Sequence, residues 1–259
     1  MLIFLKYIFK KKKICYDIFG DFMGRAYEVR KASIQKTGAA RGKIYSMYAR
    51  EIYDVAKKGG TEPSSNATLK RLIEKAKREQ VPADIIKRAL DKVNSGVDET
   101  YEKVVYEVFG PSGSTLVVEC LTDNVNRSIS SVRAALNKCK SKMGAMGSVT
   151  FNYDHLCIVS FKGLDEEATL ELLLENGVDV VDIESKEDSV IVYGNPTDSN
   201  AIKEAIASKL GDIEFDIDDI AYLPKDTIEL SGEDKEVFDR LLTMLDDVED
   251  VKNVYHNVN

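Results

Sequence analysis

Cysteine and histidine are scarce in this chain, and their scarcity limits the chemistry that it can perform. The 259 residues include four cysteines, at positions 15, 120, 139 and 157, and two histidines. No two cysteines form a C-x-x-C pair, which argues against a zinc site, and their spacing gives no disulfide framework. His155 and His256 each stand alone in the sequence, so neither is placed as a metal ligand or a general base. The cysteine pattern favours a reducing, cytoplasmic location.

Proline and glycine are also few, and long apolar runs are missing. The 5 Pro and 16 Gly exclude a long disordered chain, and the length allows one large domain or two to three small ones. The apolar run within residues 1–22 is far too short to span a membrane, and its charges follow the run, unlike those of a secretory signal. Lys10 to Lys13 could form a membrane-surface or nucleic-acid patch. We favour the alternative that residues 1–22 are a disordered tail or upstream sequence, with Met23 as the true start and no membrane contact.

Charge is distributed very unevenly along the chain. The formal net charge is −8, but residues 1–96 hold 22 Lys and Arg against 10 Asp and Glu, a balance of +12. Residues 97–259 hold 14 against 34, a balance of −20. Such a split is typical of a basic module that meets a polyanion, joined to acidic domains with another role. The acidic domains are candidates for contacting a protein partner.

Residues from about 24 to 96 have the periodicity of a helical bundle. Apolar side chains recur at helical spacing over residues 44–55, and the Gly59-Gly60 pair then ends that helix. Asn66 is a candidate N-cap for a second helix, and Pro82 suits the first turn of a third. Basic residues occupy the polar side of the second helix. The pattern predicts a small bundle with a basic exterior.

Residues 25–43 are the strongest candidates for contacting phosphate groups. Their only acid is Glu28, and the small residues 37–40 suit a flexible arm that drapes along a polyanion and becomes ordered on binding. A run of charge is more often just a solvated face. The predicted phosphate contacts are Arg25, Arg30, Lys31, Lys36, Arg41 and Lys43. The second tier of predicted contacts, on the helices, is Lys57, Lys58, Lys70 and Arg71.

From residue 101 the pattern changes to strands and helices. The segments from 156 to 220 follow the order βαββαβ, which is the ferredoxin-like motif. Strands before this unit, including one predicted over residues 148–154, and a helix and strands after it predict a second α+β unit that the first interrupts. The fold class is therefore α+β and multidomain, with an N-terminal helical bundle plus two ferredoxin-like α+β domains, the third inserted in the second. The predicted boundaries are 1–22 for the extension, 23–97 for the basic helical domain, 98–154 and 221–259 for the middle domain, and 155–220 for the inserted domain.

The segment over residues 106–128 resembles a catalytic loop at first sight, but it lacks the residue pattern of a known catalytic or phosphate-binding loop. Residues 110–113, Gly-Pro-Ser-Gly, lack the Gly-Lys-Ser/Thr end of a P-loop and suit a type I turn between two strands. Asn126, Arg127 and Ser128 form a candidate anion site, in which Asn126 caps a helix and Arg127 adds a cation. Simple capping with a surface salt bridge is the alternative.

The remaining polar residues give little evidence for catalysis. No serine or cysteine is paired with a histidine as nucleophile and base. Asp246-Asp247 and Glu249-Asp250 could hold a hard cation, or could simply solvate the end of the last helix. We therefore expect no enzymatic activity, no cofactor and no metal site.

Several short motifs occur in order along the chain. They are Gly42-Lys43-Ile44-Tyr45, Tyr106-Glu107-Val108-Phe109-Gly110-Pro111, Asp123-Asn124-Val125-Asn126-Arg127, Val132-Arg133, Gly147-Ser148-Val149 and Val254-Tyr255-His256-Asn257. Through these motifs the chain resembles the YebC-type family of probable transcriptional regulatory proteins, over about residues 23–259. Its start, Met23-Gly24-Arg25-Ala26-Tyr27, departs from the Gly-His-Ser-Lys-Trp start of many relatives and looks like that of a shorter-start branch.

The resemblance implies a cytoplasmic, non-enzymatic, nucleic-acid-binding protein of three domains. Members of the family include DNA-binding regulators and a mitochondrial translational activator of cytochrome oxidase subunit one, and some bacterial members act on ribosomes stalled at proline-rich sequence. The sequence therefore predicts a regulator of gene expression that binds DNA through its basic N-terminal domain. A ribosome-associated translation factor that engages RNA, including ribosomal RNA, is the alternative, because phosphate attraction does not distinguish the two nucleic acids.

Overall fold

A computed structural model of the chain describes residues 38–186, 188–211 and 213–259. The predicted extension over residues 1–22 lies outside them. In chain order the helices and strands are α1 (Gly38–Gly59), α2 (Ala67–Arg78), α3 (Ala83–Asn94), β1 (Glu102–Phe109), β2 (Thr115–Thr122), α4 (Val125–Lys138), β3 (Lys142–Met143), β4 (Tyr153–Phe161), α5 (Glu166–Glu175), β5 (Asp182–Lys186), β6 (Ser189–Gly194), α6 (Ser199–Leu210), β7 (Ile217–Pro224), α7 (Gly232–Asp246) and β8 (Val251–His256).

The helical region consists of α1, α2 and α3 around one apolar core that includes Ile52, Leu69 and Ile86. The Asn66 side chain accepts a hydrogen bond from the Leu69 N–H at 3.0 Å, as expected of an N-cap. It also donates to backbone carbonyl groups at the end of α1, so one buried side chain starts α2 and fastens it to α1. The periodicity and the cap together explain why these helices form where the sequence predicts them.

The first sheet has the strand order β3-β1-β2-β8, with every neighbouring pair antiparallel. Alternate side chains of its strands, such as Val108, Leu116 and Val118, face α4 and α7 and form a core with Leu136 and Leu241. The opposite face carries polar side chains such as Glu107 and Glu119, and also Val117 and Tyr255, which pack in a smaller apolar cluster with Tyr153 and Ala221. This opposite face therefore packs against β4 and β7 of the second sheet through apolar contacts.

The second sheet has the strand order β5-β6-β4-β7, also antiparallel, and follows the chain order βαββαβ. Strand β8 joins the first sheet after this unit is complete, which makes the unit an insertion. The predicted α+β fold class, with a helical region and two antiparallel sheets, is thereby confirmed. The residue boundaries of the three domains stay a prediction. Strands β4 and β7 are continuous through residues 155 and 221, where the chain is predicted to pass from one domain to the other.

The prediction of a strand over residues 148–154 is wrong. A short 3-10 helix occupies Thr150–Asn152, β4 begins at Tyr153, and the third strand of the first sheet is the two-residue β3. The reason is the buried Glu107 side chain, whose carboxylate accepts the backbone N–H groups of Gly147, Val149 and Thr150. Those N–H groups are consequently not available to a strand ladder.

Two predictions about local backbone also require correction. Residues 38–40, predicted as part of a flexible arm, belong to the first turn of α1. The predicted type I turn is a 3-10 turn over Pro111–Gly113 in which Ser112 adopts the left-handed region, with φ of 50°. Both corrections arise from local geometry that the residue types permit but do not require.

Candidate nucleic-acid interface

The predicted phosphate contacts fall into three groups in the structure. Arg25, Arg30, Lys31 and Lys36 lie outside the described residues. Arg41 on α1 and Lys70 on α2 are exposed, and within the described part of the chain neither side chain has a hydrogen bond or an ion pair. The other predicted contacts make bonds within the protein.

Lys43 is turned towards the first sheet. Its Nζ donates to the carbonyl oxygen of Asp246, at the end of α7, at 2.5 Å. Burial lowers the pKa of Lys43, and the nearby Asp246 and Asp247 carboxylates offset part of this effect. The Lys43 amine is therefore better placed to hold α1 against α7 than to contact a ligand in solvent.

Lys57 and Lys58, at the end of α1, are both paired with carboxylates. Lys57 Nζ lies 2.5 Å from Asp98 Oδ1, and this hydrogen bond raises the pKa of Lys57. Lys58 Nζ lies 2.7 Å from Asp54 Oδ2, one helical turn earlier. The exposed Lys57–Asp98 pair contributes little to stability and exchanges readily with another anion, whereas the Asp54 side chain is only 12% exposed. Lys57 therefore remains available to phosphate at a small cost, whereas moving Lys58 away would leave a buried carboxylate without its partner.

Helix α2 carries two rows of basic residues with different surroundings. Arg71, Lys75 and Arg78 recur at helical spacing and face the inserted unit, with contacts to Asn200 Oδ1 at 2.5 Å, Asp219 Oδ1 at 3.5 Å and the Phe215 carbonyl oxygen at 3.0 Å. Lys70 and Lys77, seven residues apart, share the other side of the helix and are exposed. The acidic inserted unit thus covers one basic row and leaves the second to solvent.

The candidate anion site at the start of α4 is occupied by the protein itself. The N-cap is Asn124, which accepts from the Arg127 N–H at 3.0 Å, and not Asn126 as predicted. Ser128 is fully buried. The Arg127 guanidinium lies 2.5 Å from Asp123 and 3.0 Å from Asp250, and this pairing holds the pKa of Asp123 below its usual range. Two carboxylates on one cation make this corner unfavourable for another anion.

A buried carboxylate joins the helical region to the first sheet. Asp250 Oδ1 accepts from Arg50 on α1 at 2.8 Å and from Arg127 at 3.0 Å, and its Oδ2 accepts from the Thr122 hydroxyl at 3.1 Å. Lys252, on β8, forms a second ion pair with Glu51 of α1. Both oxygens of the Asp250 carboxylate are therefore engaged by protein groups at the junction of α1 with the first sheet.

Sequence reasoning missed this network for a simple reason. Arg50 and Asp250 lie 200 positions apart, and each stands in a charged stretch that looks like ordinary surface. The residue types offered no signal that distinguishes these two from their charged neighbours. The described residues contain no group of three or more His, Cys, Asp and Glu that could hold a metal ion. Among the same residues no helix is long and apolar enough to cross a membrane.

Comparison with known proteins agrees with this architecture. Residues 25–96 match the family model of the TACO1/YebC protein N-terminal domain, and residues 101–258 match that of the TACO1/YebC second and third domain. The chain is 46% identical over 235 residues to a protein of Chromohalobacter salexigens, and 48% identical over 237 residues to one of Acholeplasma laidlawii. Each match covers 91% of this chain and 98% of the relative, and both relatives are named probable transcriptional regulatory protein.

A solved structure shows the same fold. The crystal structure of a conserved hypothetical protein from Aquifex aeolicus superposes with a TM-score of 0.67 at 31% sequence identity. The superposition covers 86% of this chain and 92% of that protein. The motifs, the fold and the sequence matches agree, and this chain belongs to the TACO1/YebC family.

Proposed function

We propose that this protein is a non-enzymatic regulator of gene expression that binds nucleic acid through its basic helical region. The charge distribution carries the proposal, since a balance of +12 over residues 1–96 adjoins a balance of −20 over the rest of the chain. A polyanion is attracted to the first segment and repelled by the second. The names of the relatives, as probable transcriptional regulatory proteins, support the same class of function.

Four cations of the described helical region are exposed and without a partner among the described residues: Arg41, Lys70, Lys77 and Lys87. In this proposal these four cations and the four predicted contacts before residue 38 neutralise phosphates. Such contacts hold a protein on a nucleic acid without reading its sequence. The acidic domains would orient the helical region, because they already bind its Arg71, Lys75 and Arg78.

The first test of the proposal is a salt titration of binding to duplex DNA. If about six phosphates are neutralised, log K should fall against log salt with a slope near −5. Changing Lys31, Lys36 and Arg41 together to alanine should flatten the slope by up to about 3. Each substitution removes one phosphate contact, so binding releases about one counterion fewer from the DNA. Base preference should change little.

The matched control removes three cations from the acidic domains. Lys186, Lys209 and Lys235 are exposed and unpaired within the described segments, so a triple alanine variant changes the net charge equally. The control should keep the slope of the unmodified protein. An unchanged slope in the Lys31, Lys36 and Arg41 variant would show that the helical region is not the binding surface.

A ribosome-associated translation factor would use the same phosphate contacts on RNA. Parallel titrations with structured RNA, and co-sedimentation with ribosomes at physiological salt, separate the two roles. Tighter binding to duplex DNA supports a transcriptional regulator. Co-sedimentation combined with weak binding to duplex DNA supports a translation factor, in which the same triple variant should leave the ribosome.

A further inference from the structure

The middle of the acidic half contains a basic segment. Residues 124–153 hold five Lys and Arg and no Asp or Glu, whereas the remainder of residues 97–259 holds nine Lys and Arg and 34 Asp and Glu. Thirty residues without a carboxylate are out of keeping with their surroundings. The segment comprises α4, β3 and the loop that leads to β4, so its charges gather at the β3 edge of the first sheet.

Most of these cations point into solvent. Arg127 is neutralised by Asp123 and Asp250, as described above. Arg133, Lys138, Lys140 and Lys142 are exposed, and no hydrogen bond or ion pair engages their side chains within the described residues. Lys138, Lys140 and Lys142 stand on one tight turn between α4 and β3, which we call the basic turn (residues 138–142). Three unpaired ammonium groups within five residues repel one another unless an anion is present.

The backbone of the basic turn keeps a lysine where glycine is the usual residue. The Ser141 N–H donates to the Leu136 carbonyl oxygen at 3.0 Å, which is the closing bond of a Schellman turn. In that turn Lys140 adopts the left-handed region, with φ of 51°. A side chain is strained there, whereas glycine is not. Gln80 occupies the same position after α2 with φ of 59°, so this turn accommodates a side chain without requiring lysine.

One exposed apolar side chain lies beside the basic turn, and two more follow on the loop that leads to β4. Phe109 is 42% exposed and is the cross-strand partner of Lys142, so both side chains lie on the same face of the sheet. Met146 is 98% exposed and Phe151 is 66% exposed. They flank the backbone that the buried Glu107 carboxylate holds through Gly147, Val149 and Thr150. Glu107 thus presents the two side chains from a fixed loop.

We infer that the basic turn and its neighbours Phe109, Met146 and Phe151 form a second nucleic-acid contact surface, separate from the helical region. Lysines placed beside exposed aromatic rings fit a nucleic acid, because ammonium groups pair with phosphates while rings stack on unpaired bases. The absence of any Asp or Glu over residues 124–153 favours a polyanion over a protein surface of mixed charge. The inference rests on the proposed function in one respect, namely that the ligand is a nucleic acid.

The test compares two triple alanine variants, one at Lys138, Lys140 and Lys142 and the other at Lys31, Lys36 and Arg41. Salt titrations on duplex DNA and on structured RNA use the full chain, and the Lys186, Lys209 and Lys235 variant is the control. We expect the basic-turn variant to lose at least about tenfold in affinity at 0.15 M salt and to flatten the slope by up to about 3. Its thermal midpoint should not fall below that of the unmodified protein, because the three side chains are exposed and unpaired.

The outcomes separate this inference from the proposed function. An effect of the basic-turn variant alone supports the second surface and contradicts binding through the helical region. An effect of the helical-region variant alone overturns the second surface. Unchanged binding in both variants overturns the second surface and the proposed function alike. If the basic-turn variant instead loses self-association and keeps nucleic-acid binding, the turn is a contact between copies of the chain.

Two single variants sharpen the test. Lys140→Gly should raise the thermal midpoint, since glycine relieves the left-handed strain, while it weakens binding. A purely structural role predicts the same rise without any loss of affinity. Phe151→Ala should weaken binding to RNA with unpaired bases about fivefold or more and leave the salt slope unchanged, because stacking involves no counterion release. If this variant and the unmodified protein bind such RNA with equal affinity, the aromatic rings are not part of the contact surface.

Discussion

Replacing Asp250 by alanine should lower the free energy of unfolding by about 3–5 kcal/mol, one of the two largest effects expected for a single substitution in this protein. The Asp250 side chain is 3% exposed and accepts hydrogen bonds from Arg50, Arg127 and Thr122. Removing it leaves the Arg50 guanidinium, whose side chain is 11% exposed, without its buried partner. A buried charge that loses its partner costs far more than an exposed one.

The loss should be concentrated at the junction between α1 and the first sheet. Arg50 also donates to the Leu121 carbonyl oxygen at 3.1 Å, so the same guanidinium touches both β2 and the Asp250 carboxylate. Without Asp250 we expect a lower thermal midpoint and also faster hydrogen exchange in α1 and in β8. Chemical denaturation followed by circular dichroism gives the overall change in free energy.

Glu249→Ala is the matched control for Asp250→Ala. Glu249 precedes Asp250 and pairs with the same arginine, but its side chain is 69% exposed. Its removal should cost less than about 1 kcal/mol, because water and salt screen an exposed pair. Similar losses for the two variants would contradict the importance of burial at this junction.

Replacing Glu107 by glutamine should cost about 3 kcal/mol and loosen residues 144–150. The carboxylate accepts the N–H groups of Gly147 at 2.5 Å, Val149 at 2.5 Å and Thr150 at 2.9 Å, and the Thr150 hydroxyl at 3.2 Å. Glutamine places an NH₂ donor among these donors and loses the charge that strengthens the bonds. Hydrogen exchange at the backbone amides of Gly147, Val149 and Thr150 should become faster, and its rate is a direct measure of the loosening.

The contribution of Glu107 should depend on pH. Burial alone would raise its pKa, but the N–H groups of Thr150, Gly147 and Val149 outweigh burial and hold the pKa below the ordinary value of 4.5. A carboxyl group with a depressed pKa in the folded state stabilises the protein fully above its unfolded pKa, and the stabilisation is lost as pH falls through the folded pKa. The stability difference between the unmodified protein and Glu107→Gln should therefore be largest near pH 7 and shrink below about pH 4.5.

Glu102→Gln provides the control on the same strand. Glu102 is exposed at the start of β1, and no partner of its side chain is found in the described part of the chain. This variant should change stability by less than about 0.5 kcal/mol at either pH. A constant difference between Glu107→Gln and the unmodified protein from pH 7 to pH 3 would show that the charge of Glu107 does not anchor the loop.

The helices and the fold class were predictable because their causes are local. Apolar residues at helical spacing define α1, α2 and α3, and the Asn66 side chain reaches only its own N-terminal turn and the preceding loop. The order βαββαβ likewise follows from runs of residues that alternate between strand and helix patterns. The charge division at residue 97 is visible in the sequence, and the proposal of nucleic-acid binding rests on it.

The sequence by itself determined the three N-terminal helices, the βαββαβ order and the basic character of the N-terminal segment, since propensity, periodicity and net charge are properties of neighbouring residues. Only the tertiary structure decided which charges are free. Lys43, Arg71 and Arg127 resemble Arg41, Lys70 and Lys142 as residue types, yet the first three contact distant carbonyl groups or carboxylates and the last three face solvent. The same holds for Glu107, which displaces a predicted strand through bonds to residues 40 or more positions away. Coulomb energy and burial depend on distance in space, and the folded chain sets that distance across separations of up to about 200 residues.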